Sequence, residues 1–105
     1  MPEWVAVASS SELLDGELLG ITHGANEILL ARIGDEIFAV DNMCTHALAW
    51  LDSGFSIPET QEVECPLHIG RFDLRTGAAT ALPCTEPLRK FEVREEAGQI
   101  EVLLD

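Results

Sequence analysis

Two pairs of cysteine and histidine residues constrain this chain more than any other feature. One residue separates Cys44 from His46 in "CTH", and two residues separate Cys65 from His68 in "CPLH". Eighteen residues separate the two pairs, which is enough for two loops to face each other. Thiolate sulfur and imidazole nitrogen bind zinc, copper and iron–sulfur centres. The spacing therefore predicts one metal centre held between two loops by these four side chains.

The identity of that centre is left open by the spacing alone. Structural zinc accepts two cysteines and two histidines, but its ligands usually come as C-x2–4-C or H-x3–5-H pairs. Here each loop offers one thiol and one imidazole, which favours a two-iron cluster with unlike iron sites. In that arrangement Cys44 and Cys65 hold one iron, and His46 and His68 hold the other. The alternative is a Cys2His2 zinc-stabilised interaction module.

Composition limits the classes of partner. The 105 residues suit a single domain, residues 1–105, and 47% of them are hydrophobic, which argues against disorder. The formal net charge of -13 repels phosphate backbones and anionic lipid surfaces, so we expect neither nucleic acid nor membrane as a partner. No stretch approaches the roughly 18 apolar residues of a membrane span. The acidic N-terminal region and three cysteines favour a soluble, cytoplasmic protein.

Short apolar runs separated by turn residues dominate the rest of the chain. Four of these runs are strand-sized, at residues 4–8, 17–22, 27–33 and 36–41. Apolar and charged residues alternate at 88–96, and residues 99–104 are again strand-like. Gly34-Asp35 and Ala97-Gly98 predict tight turns, and only "SSSELLDG" at 9–16 suggests a helical turn. The pattern predicts an all-β antiparallel sandwich or barrel. Residues 42–83, rich in proline and glycine, are interpreted as a loop-rich, metal-binding insert.

The quoted motifs also carry a family resemblance. "CTH" together with "CPLHIGRFDLRTGAATALP" resembles the Rieske ferredoxins of bacterial aromatic-ring dioxygenase systems, and the resemblance covers most of the chain. It implies a Rieske fold with one [2Fe-2S] cluster at the tip of two loops. It also implies a monomeric, non-enzymatic electron carrier between a flavin-containing ferredoxin reductase and the terminal oxygenase in aromatic hydrocarbon catabolism.

Two related proteins are weaker interpretations. The catalytic oxygenase needs a further iron site of two histidines and a carboxylate, whereas only His23 remains outside the cluster pairs. The small Rieske-like subunit of assimilatory nitrite reductase often lacks part of the ligand set, whereas all four predicted ligands are present here.

Departures from the family pattern refine the prediction. Ala47 stands where glycine is common, and residues 56–62 look like a surface extension. High-potential relatives carry an extra cysteine in each loop, at the positions of Ala49 and Leu67. They also carry hydroxyls where this chain has Gly70 and Phe72. Because hydrogen bonds to sulfur stabilise the reduced state, their loss predicts a low reduction potential, around roughly −150 mV.

The remaining expectations concern the surroundings of the ligands. Cys84 is predicted to be a structural thiol near the cluster, and the family resemblance implies a shielding loop beside it at Pro83. The uncharged residues beside the ligands predict an apolar tip with acids farther out. Arg71 and Asp73 are candidates for an ion pair that braces the second loop, with simple surface exposure as the alternative.

Overall fold

The structure is a computed structural model that describes residues 2–45, 48–67 and 69–105. These residues form eleven strands and two single-turn 3-10 helices, at Ser10–Glu12 and Leu51–Ser53. The strands are β1 Glu3–Ser9, β2 Leu18–His23, β3 Asn26–Ile33, β4 Glu36–Asp41, β5 Phe55–Ile57, β6 Glu62–Glu64, β7 Arg71–Asp73, β8 Ala79–Ala81, β9 Lys90–Phe91, β10 Val93–Glu96 and β11 Gln99–Leu104. The all-β prediction is confirmed.

The strands form three antiparallel sheets. The first has the order β1-β11-β10, the second β2-β3-β4-β9 and the third β5-β6-β7-β8. The third sheet is built entirely from three-residue strands and occupies the segment interpreted as a loop-rich insert. Residues 56–62, predicted as a surface extension, form most of the β5–β6 hairpin.

The second sheet is buried on both faces because its central strands are apolar at successive positions. In β3, Ile28 and Leu30 point to one core while Leu29 and Ala31 point to another, as the two-residue period of a strand requires. The core that contains cysteines is here called the thiol core: Leu29, Ala31, Phe38, Val40, Cys44, Ala49, Leu51, Val63, Cys65, Phe72, Leu74, Cys84 and Leu88. The other is called the frame core: Ala8, Leu13, Ile28, Leu30, Ala39, Phe91, Ile100, Val102 and Leu104.

The predicted turns lie where the sequence places them. Gly34, with a φ of 62°, joins β3 to β4. Ala97 and Gly98 join β10 to β11 with φ values of 50° and 79°, the left-handed pair that a tight hairpin favours. The predicted helical turn is the 3-10 helix at Ser10–Glu12, preceded by Ser9. Within the described ranges, no helix has both the length and the apolar character to cross a bilayer.

Candidate functional site

The first of the two predicted metal-binding loops follows β4 and is closed by backbone pairing between its described ends. Met43 and Trp50 form an isolated antiparallel bridge. Inside it, the Cys44 amide donates to the Ala49 carbonyl at 3.0 Å. These contacts hold Cys44 at the base of the loop, where it is buried.

A buried side chain fixes the base of this first loop. The Asn42 amide nitrogen donates to an Asp52 carboxylate oxygen at 2.9 Å, and the Asn42 amide oxygen accepts from the Asp52 backbone N–H at 2.9 Å. At the other side, the Thr45 hydroxyl donates to the Glu86 carbonyl at 2.8 Å. The first loop is therefore tied both to the following 3-10 helix and to the segment that contains Cys84.

The second loop, residues 65–70, joins β6 to β7 and repeats the same closure. The Cys65 amide donates to the Gly70 carbonyl at 2.9 Å, five residues on, as the Cys44 amide does. Cys65 is buried at the base of its loop. The sequence brings both predicted cysteine ligands to equivalent positions in two hairpin-like loops.

The ion pairs beside the second loop differ from the prediction. Arg71 Nε donates to Glu64 at 3.0 Å, and Asp73 pairs with Arg75 at 3.0 Å. The Arg71–Asp73 pair was wrong because Glu64 lies directly opposite Arg71 in the β6–β7 ladder. Directly opposed side chains in an antiparallel pair are nearer than residues two apart along one strand.

Three buried thiols come together where the two loops meet the segment at residues 82–87. Cys84 Sγ lies 3.9 Å from Cys44 Sγ. Burial, followed by the charge and hydrogen bond of Cys44 and the charge of Cys65, raises the pKa of Cys84 to about 12. The prediction that Cys84 is a thiol near the metal centre is consistent with this placement. His46, Ala47 and His68 lie outside the described residues.

The donor set fits an iron–sulfur group. Cys44 and Cys65 supply the thiolate chemistry that iron–sulfur clusters require, and both lie in the same buried cluster as Cys84. The predicted histidine ligand stands two residues after Cys44 and three residues after Cys65. Cys44 and Cys65 are thus each buried at the start of a segment whose sequence continues to a predicted histidine ligand.

Several large apolar side chains that neighbour the three thiols in the sequence are exposed. They belong to the two loops and to the segment with Cys84: Leu48, Trp50, Leu67, Ile69 and Leu82, here called the tip surface. Leu48 is 92% exposed and Leu67 is 63% exposed. Where such groups form a contiguous exposed patch, the patch often marks a site at which a protein binds a partner. The expected apolar tip is therefore present in the described parts of both loops.

The basic residues of the chain are largely neutralised by neighbouring acids. Each of the five arginines has a carboxylate within 4 Å, in the pairs Arg32–Glu95, Arg71–Glu64, Arg75–Asp73, Arg89–Asp41 and Arg94–Glu101. With 19 acids and six basic residues in the sequence, the remaining acids set the sign of the surface potential.

Comparison with known proteins identifies the family. Residues 3–92 match the Rieske [2Fe-2S] domain. The ferredoxin component of the naphthalene 1,2-dioxygenase system of Pseudomonas putida is 38% identical over 98% of this chain and 95% of its own length. The chain belongs to the Rieske [2Fe-2S] family. Its cofactor is therefore a Rieske-type [2Fe-2S] cluster, and the zinc alternative is set aside.

Solved structures of Rieske proteins share the fold. The ferredoxin of carbazole 1,9a-dioxygenase from Nocardioides aromaticivorans IC177 superposes with a TM-score of 0.90 at 43% identity, covering 94% of this chain and 95% of that chain. A ferredoxin solved in complex with the reduced oxygenase of carbazole 1,9a-dioxygenase gives a TM-score of 0.87 at 34% identity, with coverages of 94% and 91%. A nitrite reductase small subunit from Mycobacterium tuberculosis, at 20% identity, shares the fold alone.

Sequence reasoning missed the contacts that hold the loops in place. The double hydrogen bond between Asn42 and Asp52 spans ten residues, and the Thr45–Glu86 bond spans forty-one. The asparagine directly after an apolar strand could have indicated a hydrogen-bonded partner for Asn42, because buried amides need partners. No local signal pointed to the second.

Proposed function

We propose that this Rieske protein is the ferredoxin component of an aromatic-ring dioxygenase system. It carries single electrons from a flavin-containing reductase to the terminal oxygenase and makes no bonds itself. The observation that carries the proposal is the near full-length similarity to such ferredoxin components, combined with buried thiols under an apolar, exposed tip surface. Localisation in the cytoplasm and a monomeric state are part of the same proposal.

The proposed cluster ligands are Cys44, His46, Cys65 and His68. The cluster supplies a centre that accepts and releases one electron at a time. Cys44 and Cys65 lie at the bases of the two loops and would hold one iron. The backbone closures at Ala49 and Gly70 keep the two thiols in place. Burial of the thiols excludes water from this side of the site.

The tip surface is proposed as the docking site for the terminal oxygenase. Its side chains lie beside the thiol-bearing loops, so a partner seated on them approaches the electron carrier closely. A patch of a few apolar groups favours a small and transient interface, in which area and affinity stay low enough for release. The partner has a complementary apolar site near its own redox centre.

The acidic surface is proposed to steer this encounter. Because the arginines are paired with acids, the excess carboxylates attract a partner with a basic rim. Electrostatic steering of this kind raises association rates and falls with ionic strength. We expect electron transfer to the oxygenase to slow steeply as salt is raised, while the intrinsic reduction potential changes little.

A stopped-flow experiment tests the function directly. Reduced protein is mixed with the oxidised oxygenase of an aromatic-ring dioxygenase system, and the oxidation of the carrier is followed by its visible spectrum. Fast, second-order oxidation, with turnover of aromatic substrate in the reconstituted system, is expected. Reduction by a nitrite reductase flavoprotein with no transfer to any oxygenase would contradict the proposal.

Substitution of ligands tests the site. His68→Cys and Cys65→Ser are each expected to change the electron paramagnetic resonance spectrum of the reduced protein or to lose iron and acid-labile sulfide. His23→Asn is the matched control, because His23 is an exposed histidine at the end of β2. An unchanged spectrum in His68→Cys, with full iron content, would remove His68 from the ligand set.

The docking site has its own test. Leu67→Asp is expected to slow transfer to the oxygenase by tenfold or more without changing the cluster spectrum. Leu14, 60% exposed in the turn before β2, resembles Leu67 in exposure and lies outside the tip surface. Leu14→Asp should leave the rate within a factor of two. Equal slowing by both changes would show that added charge, and not the tip surface, is responsible.

A further inference from the structure

One buried thiol has no role in the proposed ligand set. Cys84 lies in the thiol core, and its Sγ approaches Cys44 Sγ at 3.9 Å, within hydrogen-bonding range for sulfur. From the distance alone, either sulfur could be the donor. The protonation state of Cys44 therefore decides the direction of the bond.

Ligation removes this ambiguity. A cysteine bound to iron is a thiolate and carries no proton, so its sulfur can only accept. We propose that Cys84 donates its S–H to the sulfur of Cys44 and thereby raises the reduction potential of the cluster. This inference rests on the proposed function, because it requires Cys44 to be a ligand.

The chain positions Cys84 for this contact in two ways. Its amide donates to the Ala81 carbonyl at 3.2 Å, and the Thr45–Glu86 hydrogen bond draws its segment against the first loop. The thiol also occupies space that a side chain at position 70 would need. A Cβ at Gly70 would collide with Cys84 Sγ, so the absence of a side chain there makes room for the sulfur.

The direction of the effect follows from charge. Reduction adds one electron to the cluster and makes its sulfurs more negative, so a donor to one of them stabilises the reduced form more than the oxidised form. Removing the donor lowers the potential. A thiol is a weak donor, so we expect a three- to tenfold change in the equilibrium constant for reduction. A tenfold change corresponds to about 59 mV for one electron.

Two substitutions separate hydrogen bonding from packing. Cys84→Ala removes the donor and leaves a small cavity, whereas Cys84→Ser keeps a donor in a side chain of similar shape. Reduction potentials are measured by redox titration of both variants and the parent protein. We expect the potential of Cys84→Ala to fall and that of Cys84→Ser to remain clearly above it. Equal reduction potentials for Cys84→Ala and Cys84→Ser would overturn the proposal.

Deuterium exchange provides a readout that packing alone does not move. Resonance Raman spectra recorded in H2O and D2O should show an isotope shift in the iron–sulfur stretch of Cys44 that weakens in Cys84→Ala. An identical isotope pattern in the parent protein and Cys84→Ala would also contradict the bond. Gly70→Ala, which displaces the thiol, should lower the potential in the same direction if that variant folds.

Failure of the underlying function gives a different result. If the parent protein contained no iron or acid-labile sulfide, the ligand set itself would be wrong, and no comparison of variants would be made. If the cluster forms but Cys44→Ser leaves its spectrum unchanged, Cys44 is not a ligand. The role of Cys84 by itself is refuted when the cluster is normal and either the Ala and Ser variants share one potential or the isotope pattern of Cys84→Ala matches that of the parent.

Discussion

The two hydrophobic cores of this protein lie on opposite faces of one sheet but are built differently. The frame core is enclosed largely by strands of six to eight residues. Most of these strands pair with an adjacent strand in the sequence, and β1 pairs with β11 so that the two ends of the chain lie side by side. The thiol core is closed by three-residue strands and loops, and it contains all three cysteines. Long strands stabilise a sheet through many cross-strand contacts, whereas three-residue strands form few. The thiol core therefore depends more on whatever binds its thiols.

Removal of the cluster should give the largest difference in local stability between the two cores. Because binding of a metal centre contributes directly to folding free energy, we expect amide hydrogen exchange in β5–β8 to accelerate about a hundredfold in the iron-free protein. Exchange in β3, β10 and β11 should change far less. Hydrogen–deuterium exchange with mass spectrometry on holo and apo protein measures this, and equal acceleration in all three sheets would contradict the asymmetry.

Adjacent leucines of β3 allow the cores to be compared in one strand. Leu29 belongs to the thiol core and Leu30 to the frame core, and both are fully buried. Leu29→Ala and Leu30→Ala should each lower the free energy of unfolding by about 2–5 kcal/mol, measured by chemical denaturation of the holoprotein. Only Leu29→Ala should also alter the reduction potential. A comparable shift from Leu30→Ala would show that the sheet does not insulate the cluster.

Acid should weaken the third sheet (β5–β8) through Glu62 in β6. Hydrogen bonds from Thr60 and Thr80, and the charge of Arg71, lower the pKa of Glu62 below its ordinary value of 4.5. A lowered pKa in the folded state means that the stabilisation is complete above the ordinary value and is lost as pH falls through the lowered one. Glu62→Gln should therefore be less stable than the parent at pH 7, by about 1 kcal/mol.

The difference in stability between Glu62→Gln and the parent should disappear in acid, because the Glu62 carboxyl of the parent is then protonated. Thermal unfolding from pH 7 to pH 2 measures it, with Glu3→Gln, an exposed change in β1, as the control. A difference that persisted unchanged at low pH would mean that shape, and not charge, causes the loss.

Exposed ion pairs should give the smallest effects. Arg71 pairs with Glu64 in the third sheet, and Arg94 pairs with Glu101 in the first sheet. The two arginine side chains are 40% and 41% exposed. Arg71→Gln and Arg94→Gln should each lower stability by less than about 1 kcal/mol, with the loss reduced by salt. A much larger loss from Arg71→Gln alone, in urea denaturation, would assign this pair a special part in closing the second loop.

The long strands of the first two sheets were easier to predict from the sequence than the short strands of the third sheet, for a physical reason. Long strands such as β3 reveal themselves by apolar runs, and turns such as Gly34-Asp35 by residues that accept positive φ. Three-residue strands are too short to display a period, so residues 42–83 read as loops. The partner of Arg71 depends on which residue lies across the ladder, and local spacing does not reveal that register.

The sequence predicted those parts of the candidate site that depend on residues close together in the chain. It did not predict the contacts between residues far apart in the chain. Cysteine and histidine spacing pointed to Cys44 and Cys65 and to an iron–sulfur group, and apolar neighbours pointed to the exposed tip. Cys84 was expected near the cluster, but its specific contact with Cys44, forty residues away, was not predicted. The hydrogen bond from Thr45 to Glu86 likewise joins distant positions, and neither contact leaves a pattern in the neighbouring sequence.

Matching amide-to-carbonyl closures in the two loops have a kinetic consequence. Cys44 and Cys65 are each anchored by a bond to the residue five positions on, so the backbone at both sulfurs has little freedom to relax. If these cysteines hold the cluster as proposed, we expect their surroundings to change little when an electron arrives. We therefore expect a low reorganisation energy, which would let the carrier pass charge quickly even when donor and acceptor differ little in potential.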